Sequence, residues 1–187
     1  MKNSHLKLSA PGIFLLFLLC MGQAFTQSAD NHEGAYGPAP DFTLKTLDGT
    51  SLALSDFKDK IVVLHIATTW CPFCNAEAPH LEKLYQDYKE KNVTVLLIDV
   101  KEPQELVREK LMERHKLTFP ILLDPEGSVA ASFAPEDVLP DLGRDEVMLA
   151  SNLIIDRDGT IRFMSLLDSK NFDAELLALK QKLDEML

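Results

Sequence analysis

The sequence predicts an α/β domain in which a mixed central sheet is flanked by helices, with a β-hairpin extension at its N-terminal side. Two observations set the class: the runs IVVLHIA (Ile61–Ala67) and VTVLLIDV (Val93–Val100) are of strand length, nearly all aliphatic, and each leads into a helical pattern. Strands so uniformly apolar are covered on both faces. A third observation makes the sheet mixed, because the two apolar runs in NLIIDRDGTIRFM meet at Asp158-Gly159 and read as an antiparallel hairpin.

The remaining elements follow in order. Phe42, Leu44, Leu47, Leu52 and Leu54 lie around Asp48-Gly49, which predicts a short hairpin on the flank of the domain. After the first strand, Leu81, Leu84, Tyr85 and Tyr88 recur at helical intervals with charges between them. A second helix is expected from Pro103, a residue suited to a first turn, to about His115. FPILLDPEG reads as a short strand ending in a turn, followed by a short helix through Phe133. Residues 134–148 lack periodicity and read as a surface excursion. Phe172, Leu176, Leu177, Leu183 and Leu187 form one apolar stripe, hence a closing helix.

With 187 residues and 46% hydrophobic composition, the chain can bury a core without staples. Its formal net charge of −10 excludes the clustered basic surface that nucleic acid binding needs. At the N-terminus, Lys2 and Lys7 precede the apolar run IFLLFLLCM, and small residues follow at Gly22 and Ala24. This is the layout of a secretory signal peptide, expected to cover residues 1–24 and to be cut after Ala24. The run is about half of the ~20 residues that cross a bilayer, so no stable membrane span is expected. Cys20 invites comparison with the lipidated cysteine of a lipoprotein, but the bulky Leu19 before it disfavours that reading. Residues 25–37 are small and polar and read as a flexible linker, leaving 38–187 as the folded domain.

The chemistry concentrates in TTWCPFCNAEAP. Cys71 falls where the first buried strand gives way to a helix, and Cys74 lies one helical turn on. The two sulfurs are then close enough for a small-ring disulfide. At the helix start, unpaired N–H groups and the helix dipole favour a Cys71 thiolate, while Cys74 sits farther inside. The asymmetry predicts attack by Cys71 on a partner disulfide and resolution of the mixed disulfide by Cys74. A plain staple is the alternative, but a four-residue loop restrains the unfolded chain little. A zinc clip is another, yet structural zinc takes four ligands and no second pair stands at ligand spacing. No cofactor is called for.

ATTWCPFC with Glu77 and Pro79, the upstream APDFTLKTLDGT and the downstream LIIDRDGTI resemble the TlpA/ResA-like thiol-disulfide oxidoreductases of the thioredoxin superfamily. The resemblance runs from about Pro38 to Leu187. It implies a thioredoxin-like fold, a periplasmic location and reduction of protein disulfides. The partners it implies are protein thiols or disulfides, including cytochrome c maturation components, and an upstream membrane electron donor. Cys71 matches the nucleophile, Cys74 the resolving cysteine, Trp70 the flanking aromatic residue and Pro79 a helix kink. Glu77 matches a glutamate that tunes the cysteines; an ordinary solvated helix carboxylate is its other reading.

Two positions depart from the family. Relatives place Asp or Asn six residues before the first cysteine, where this chain has His65, either a proton relay or a hydrogen-bonded core histidine. Relatives also carry a cis-proline where this chain has Ala150, and a trans Leu149-Ala150 bond is expected because a non-proline cis bond costs about 2.5–4 kcal/mol. Two further functions stay open, the first suggested by FPILLDPEG and the second by the missing proline. One is a redoxin-type peroxidase, which Thr68 fits and Ala150 does not. The other is a non-enzymatic protein holding Cu(I) on its two soft thiols.

Overall fold

The computed structural model describes residues 36–187. The expected signal peptide and all but the end of the expected linker lie outside the described residues. Seven strands form one sheet: β1 (Thr43–Thr46), β2 (Ser51–Ala53), β3 (Ile61–Ala67), β4 (Val93–Val100), β5 (Ile121–Asp124), β6 (Ser151–Ile155) and β7 (Ile161–Ser165). Their order across the sheet is β2-β1-β5-β4-β3-β6-β7. β3, β4 and β5 run parallel, and β6, β7 and the β1–β2 hairpin are antiparallel to their neighbours. The N-terminal hairpin does not merely pack on the flank, because β1 pairs with β5 and continues the sheet.

β3 and β4 are buried along their whole length, as their unbroken apolar runs require. Alternation divides their side chains between two cores. Val63, Val95 and Leu97 pack with Ala78, Leu81 and Leu84 of the long helix α1 (Pro72–Tyr88). Leu64, Ile66, Leu96 and Ile98 pack on the other face with Phe42, Ala130 and Met148. Each fully buried aliphatic side chain contributes about 1.5–3 kcal/mol.

α2 (Gln104–Val107) starts one residue after Pro103, which caps it, and continues as a π-helical stretch over Arg108–Glu113. α3 (Ser128–Ser132) and α4 (Arg144–Val147) are short. The 134–148 segment is therefore not wholly a surface excursion: Val147 is buried and Met148 packs into the second core, while Leu139 and Leu142 stay exposed. The closing helix α5 (Leu177–Glu185) also departs from expectation. Leu176 takes a left-handed conformation at its start, so the helix is not in phase with Phe172, and Leu179 rather than Leu177 joins Leu183 in the core. Among the described residues, no helix is long and apolar enough to cross a membrane.

Candidate active site

Cys71 is the N-cap of α1, in extended conformation, and its Sγ accepts a hydrogen bond of 3.2 Å from the Cys74 N–H. A sulfur thus occupies the place where helices usually put a Ser or Asp oxygen. Pro72 follows at the first helical position, where no N–H is missed. Both cysteines are free thiols. Hydrogen bonding from the Cys74 thiol and from the Cys74 and Phe73 backbone lowers the Cys71 pKa to about 6, against the opposing effect of burial. Cys74 is raised, first because its thiol is held by Cys71 and then by burial and the Cys71 charge. The pair thus has one thiol that ionises early and one that holds its proton.

Glu77, on the next turn of α1, is buried with only 3% exposure, which rules out a solvated helix carboxylate. Burial raises its pKa to about 8, helped by the charges of Cys71 and Asp173 and opposed by a hydrogen bond from Asn152. The Asn152 Nδ2 donates to Glu77 Oε1 at 2.9 Å, and Asn152 Oδ1 lies 2.9 Å from His65 Nδ1. Glu77 Oε2 has no hydrogen-bond partner. His65 is fully buried, and burial lowers its pKa to about 4, so the ring is neutral. Sequence reasoning missed Asn152. The available signal was a lone amide at the start of an otherwise apolar strand.

A second polar group supports the turn before Cys71. Glu102 accepts hydrogen bonds from the Thr69 N–H and, at 2.6 Å, from the Thr69 hydroxyl. The Asn75 amide donates to the carbonyls of Thr69 (2.9 Å) and Cys71 (2.7 Å), and its Oδ1 meets His115 Nε2 at 2.9 Å. Behind Glu102 lies Asp99, 1% exposed, with neither carboxylate oxygen hydrogen-bonded. Burial and the Glu102 charge raise its pKa to about 9. Asp99 is the one acid within VTVLLIDV, an oddity visible in the sequence.

Phe73, between the cysteines, stacks edge-on with Phe172 at 4.8 Å, while Trp70 is 67% exposed beside the site. No cluster of three or more His, Cys, Asp or Glu suited to a metal occurs among the described residues.

Opposite the helix start, Leu149-Ala150 is trans, since the described residues contain no cis peptide bond. Ala150 has φ of 59° and its N–H donates to the Ile66 carbonyl at 2.9 Å, closing the β3–β6 pairing. A left-handed alanine costs about 1–2 kcal/mol relative to glycine. Ala150→Gly is therefore expected to stabilise the protein by about 0.5–1 kcal/mol in urea unfolding. Ala150→Pro should destabilise it by about 3 kcal/mol, because proline can adopt neither that φ nor that hydrogen bond.

A sheet of this order, with a cysteine pair at the start of its principal helix, defines a thiol-disulfide oxidoreductase of thioredoxin-like fold. The chain belongs to the AhpC/TSA family, whose model matches residues 36–164, and within it to the ResA-like branch. It is 33% identical over 167 residues to the thiol-disulfide oxidoreductase ResA of Geobacillus kaustophilus, covering 87% of this chain and 88% of that protein. The thioredoxin-like protein YneN of Bacillus subtilis is 42% identical over 91 residues, 48% of this chain and 53% of that one. A candidate protein disulfide isomerase from Bacteroides thetaiotaomicron, known in solution structure, superposes with a TM-score of 0.68 at 31% identity, over 82% of this chain and 90% of its own. A secreted Mycobacterium tuberculosis disulfide oxidoreductase shares the fold, with a TM-score of 0.62 at 23% identity, over 77% and 95% of the two chains.

Proposed function

We propose that the protein is exported to the periplasm and there reduces disulfides of protein substrates, with Cys71 as nucleophile, Cys74 as resolving thiol and Glu77 as the group that takes the Cys74 proton. The observation that carries this reading is the Cys71 Sγ at the α1 N-cap, hydrogen-bonded by the Cys74 N–H. The Cys71 thiolate attacks a substrate disulfide, forms a mixed disulfide and expels one substrate sulfur as thiolate. Cys74 then loses its proton to Glu77 and attacks Cys71 Sγ. The second substrate sulfur leaves, two electrons have passed to the substrate, and the Cys71–Cys74 disulfide remains.

The order of events follows from electrostatics. Once Cys71 is bonded to substrate, its hold on the Cys74 proton, the largest cause of the raised Cys74, disappears together with its negative charge, and burial alone of the three main causes remains. The same loss of charge lowers Glu77, making its carboxylate available when a base is needed. A membrane-bound donor would then return two electrons to the disulfide, and cytochrome c maturation components are the substrates the ResA likeness suggests. Export is supported by Lys2, Lys7 and the apolar run after them, with residues 1–24 as the removed segment, 25–37 as a linker and 38–187 as the domain.

The whole protein should accelerate insulin disulfide reduction by dithiothreitol and consume little peroxide. Fast, thiol-dependent peroxide consumption with no insulin reduction would instead establish the redoxin-type reading. Stoichiometric Cu(I) uptake by a protein inactive in both assays would establish the metal-binding one.

A further inference from the structure

Two buried polar residues whose side-chain hydrogen bonds go to neither cysteine, His65 and Asn152, lie on adjacent strands and lead to Glu77. They are direct cross-strand partners in the β3–β6 pairing, 0% and 3% exposed. We infer that His65 and Asn152 form a polar strut that orients the Glu77 carboxyl, making both of them positioning residues for the step in which Cys74 resolves the mixed disulfide. The inference rests on Glu77 as the proton acceptor for Cys74.

An asparagine amide has two unlike ends, and nothing in its own shape decides which one faces a carboxylate. Here the imidazole decides. His65 Nδ1 lies 2.9 Å from Asn152 Oδ1. Nε2 has no hydrogen-bond partner, so the single proton of the neutral ring finds an acceptor only on Nδ1. With Nδ1–H donating to Oδ1, the amide must turn its N–H₂ to Glu77, where Nδ2 donates to Oε1 at 2.9 Å. One carboxylate oxygen is thereby fixed, and the other, Oε2, is left without a hydrogen bond. A reversed amide would set its carbonyl against the ionised carboxylate, which is repulsive.

The groups that act on Glu77 from the surrounding elements are Cys71 and Cys74 on α1, Asp173 before α5, and His65 on β3, whose Nδ1 is 3.7 Å from Oε2. Burial first, and then Cys71 and Asp173, oppose its ionisation, His65 is uncharged, and the Asn152 N–H₂ is the donor that favours it. Cutting the strut should therefore leave Glu77 protonated to higher pH.

The test is the intramolecular step itself, read by stopped flow as release of the second thionitrobenzoate after DTNB reacts with the reduced full chain. Cys20 is replaced by serine in every sample, so that only Cys71 and Cys74 report. His65→Leu should move the ascending limb of the pH–rate profile upward by about one pH unit and slow release at pH 7 about tenfold. Asn152→Leu, which cuts the strut from the other end, should shift it the same way. His65→Asn, whose amide N–H can stand where Nδ1–H stood, should keep the wild-type limb. Unmoved limbs in both leucine variants would overturn the inference, as would a His65→Asn shift as large as that of His65→Leu. Loss of folding in one leucine variant leaves the other to decide. Glu77→Gln separates the two levels: if it retains the wild-type limb, the role of Glu77 falls. If it abolishes the limb while the leucine variants keep it, the strut alone falls.

Discussion

Cys71→Ser is expected to bring disulfide exchange down to the uncatalysed rate, whereas Cys74→Ser should stop the reaction halfway, with substrate proteins held on Cys71. A serine hydroxyl at the helix start is not ionised at neutral pH, so nothing remains to attack. With its pKa at about 6, Cys71 is mostly thiolate at pH 7, against a few per cent for an ordinary thiol of pKa ~8.5. Its first attack should be half-maximal near pH 6 and flat above. Cys74→Ser carries a second consequence, because the Cys74 thiol is the leading cause of the lowered Cys71 pKa. A serine hydroxyl is a different donor, so the limb for mixed-disulfide formation should shift, and ultraviolet thiolate absorbance of the variant should report the same shift. Trapped species on non-reducing gels, absent in the double Cys71→Ser, Cys74→Ser variant, would identify the substrates. An absence of trapped species in Cys74→Ser would exclude the proposed mechanism.

The second large effect concerns stability. Asp99 is buried without a hydrogen bond to its carboxylate, and its pKa rises to about 9. The folded protein therefore holds this proton far more tightly than the unfolded chain, whose aspartates titrate near ~3.9. The resulting stabilisation is complete below about pH 4 and is lost as pH rises through about 9. At pH 7 the loss approaches a ceiling of about 4 kcal/mol, at about 1.36 kcal/mol per pH unit, and structural relaxation reduces it. Asp99→Asn removes the titration while keeping the shape and adding a donor that can face Glu102. We expect it to stabilise the reduced protein by about 2 kcal/mol in urea at pH 7, and the gain to vanish near pH 4. A variant less stable than wild type at pH 7 would show that the buried carboxyl has partners that outweigh its desolvation. Glu77 and Cys71 also titrate in this range, with opposite signs, but their contributions are common to both proteins and cancel.

What the sequence made legible was whatever rests on local pattern. The bounds of β3 and β4 coincide with their largely aliphatic runs, because polar residues stand immediately outside them at Lys60, Thr68, Asn92 and Lys101. The cysteine pair was legible because its spacing and helix-start position are local. The strut was not: Asn152 lies 87 residues from His65 and meets it only through the β3–β6 register. Periodicity failed at α5 for a different reason. The Phe172–Leu187 stripe assumes one helix phase throughout, and the left-handed Leu176 resets that phase before the helix begins. In residues 134–148, burial belongs to two residues at one end, too few for any period to register.

The Asn75 side chain, tied at once to the Thr69 carbonyl, the Cys71 carbonyl and His115, has a consequence for energy storage. It clamps the backbone of the turn from outside the sulfur pair, and none of its bonds involves a sulfur. Making or breaking the bond between Cys71 and Cys74 can then proceed with the surrounding main chain held in place. Under the proposed mechanism the protein would behave as a capacitor on a rigid mount: two electrons would be loaded and discharged with little of the driving force spent on moving the scaffold.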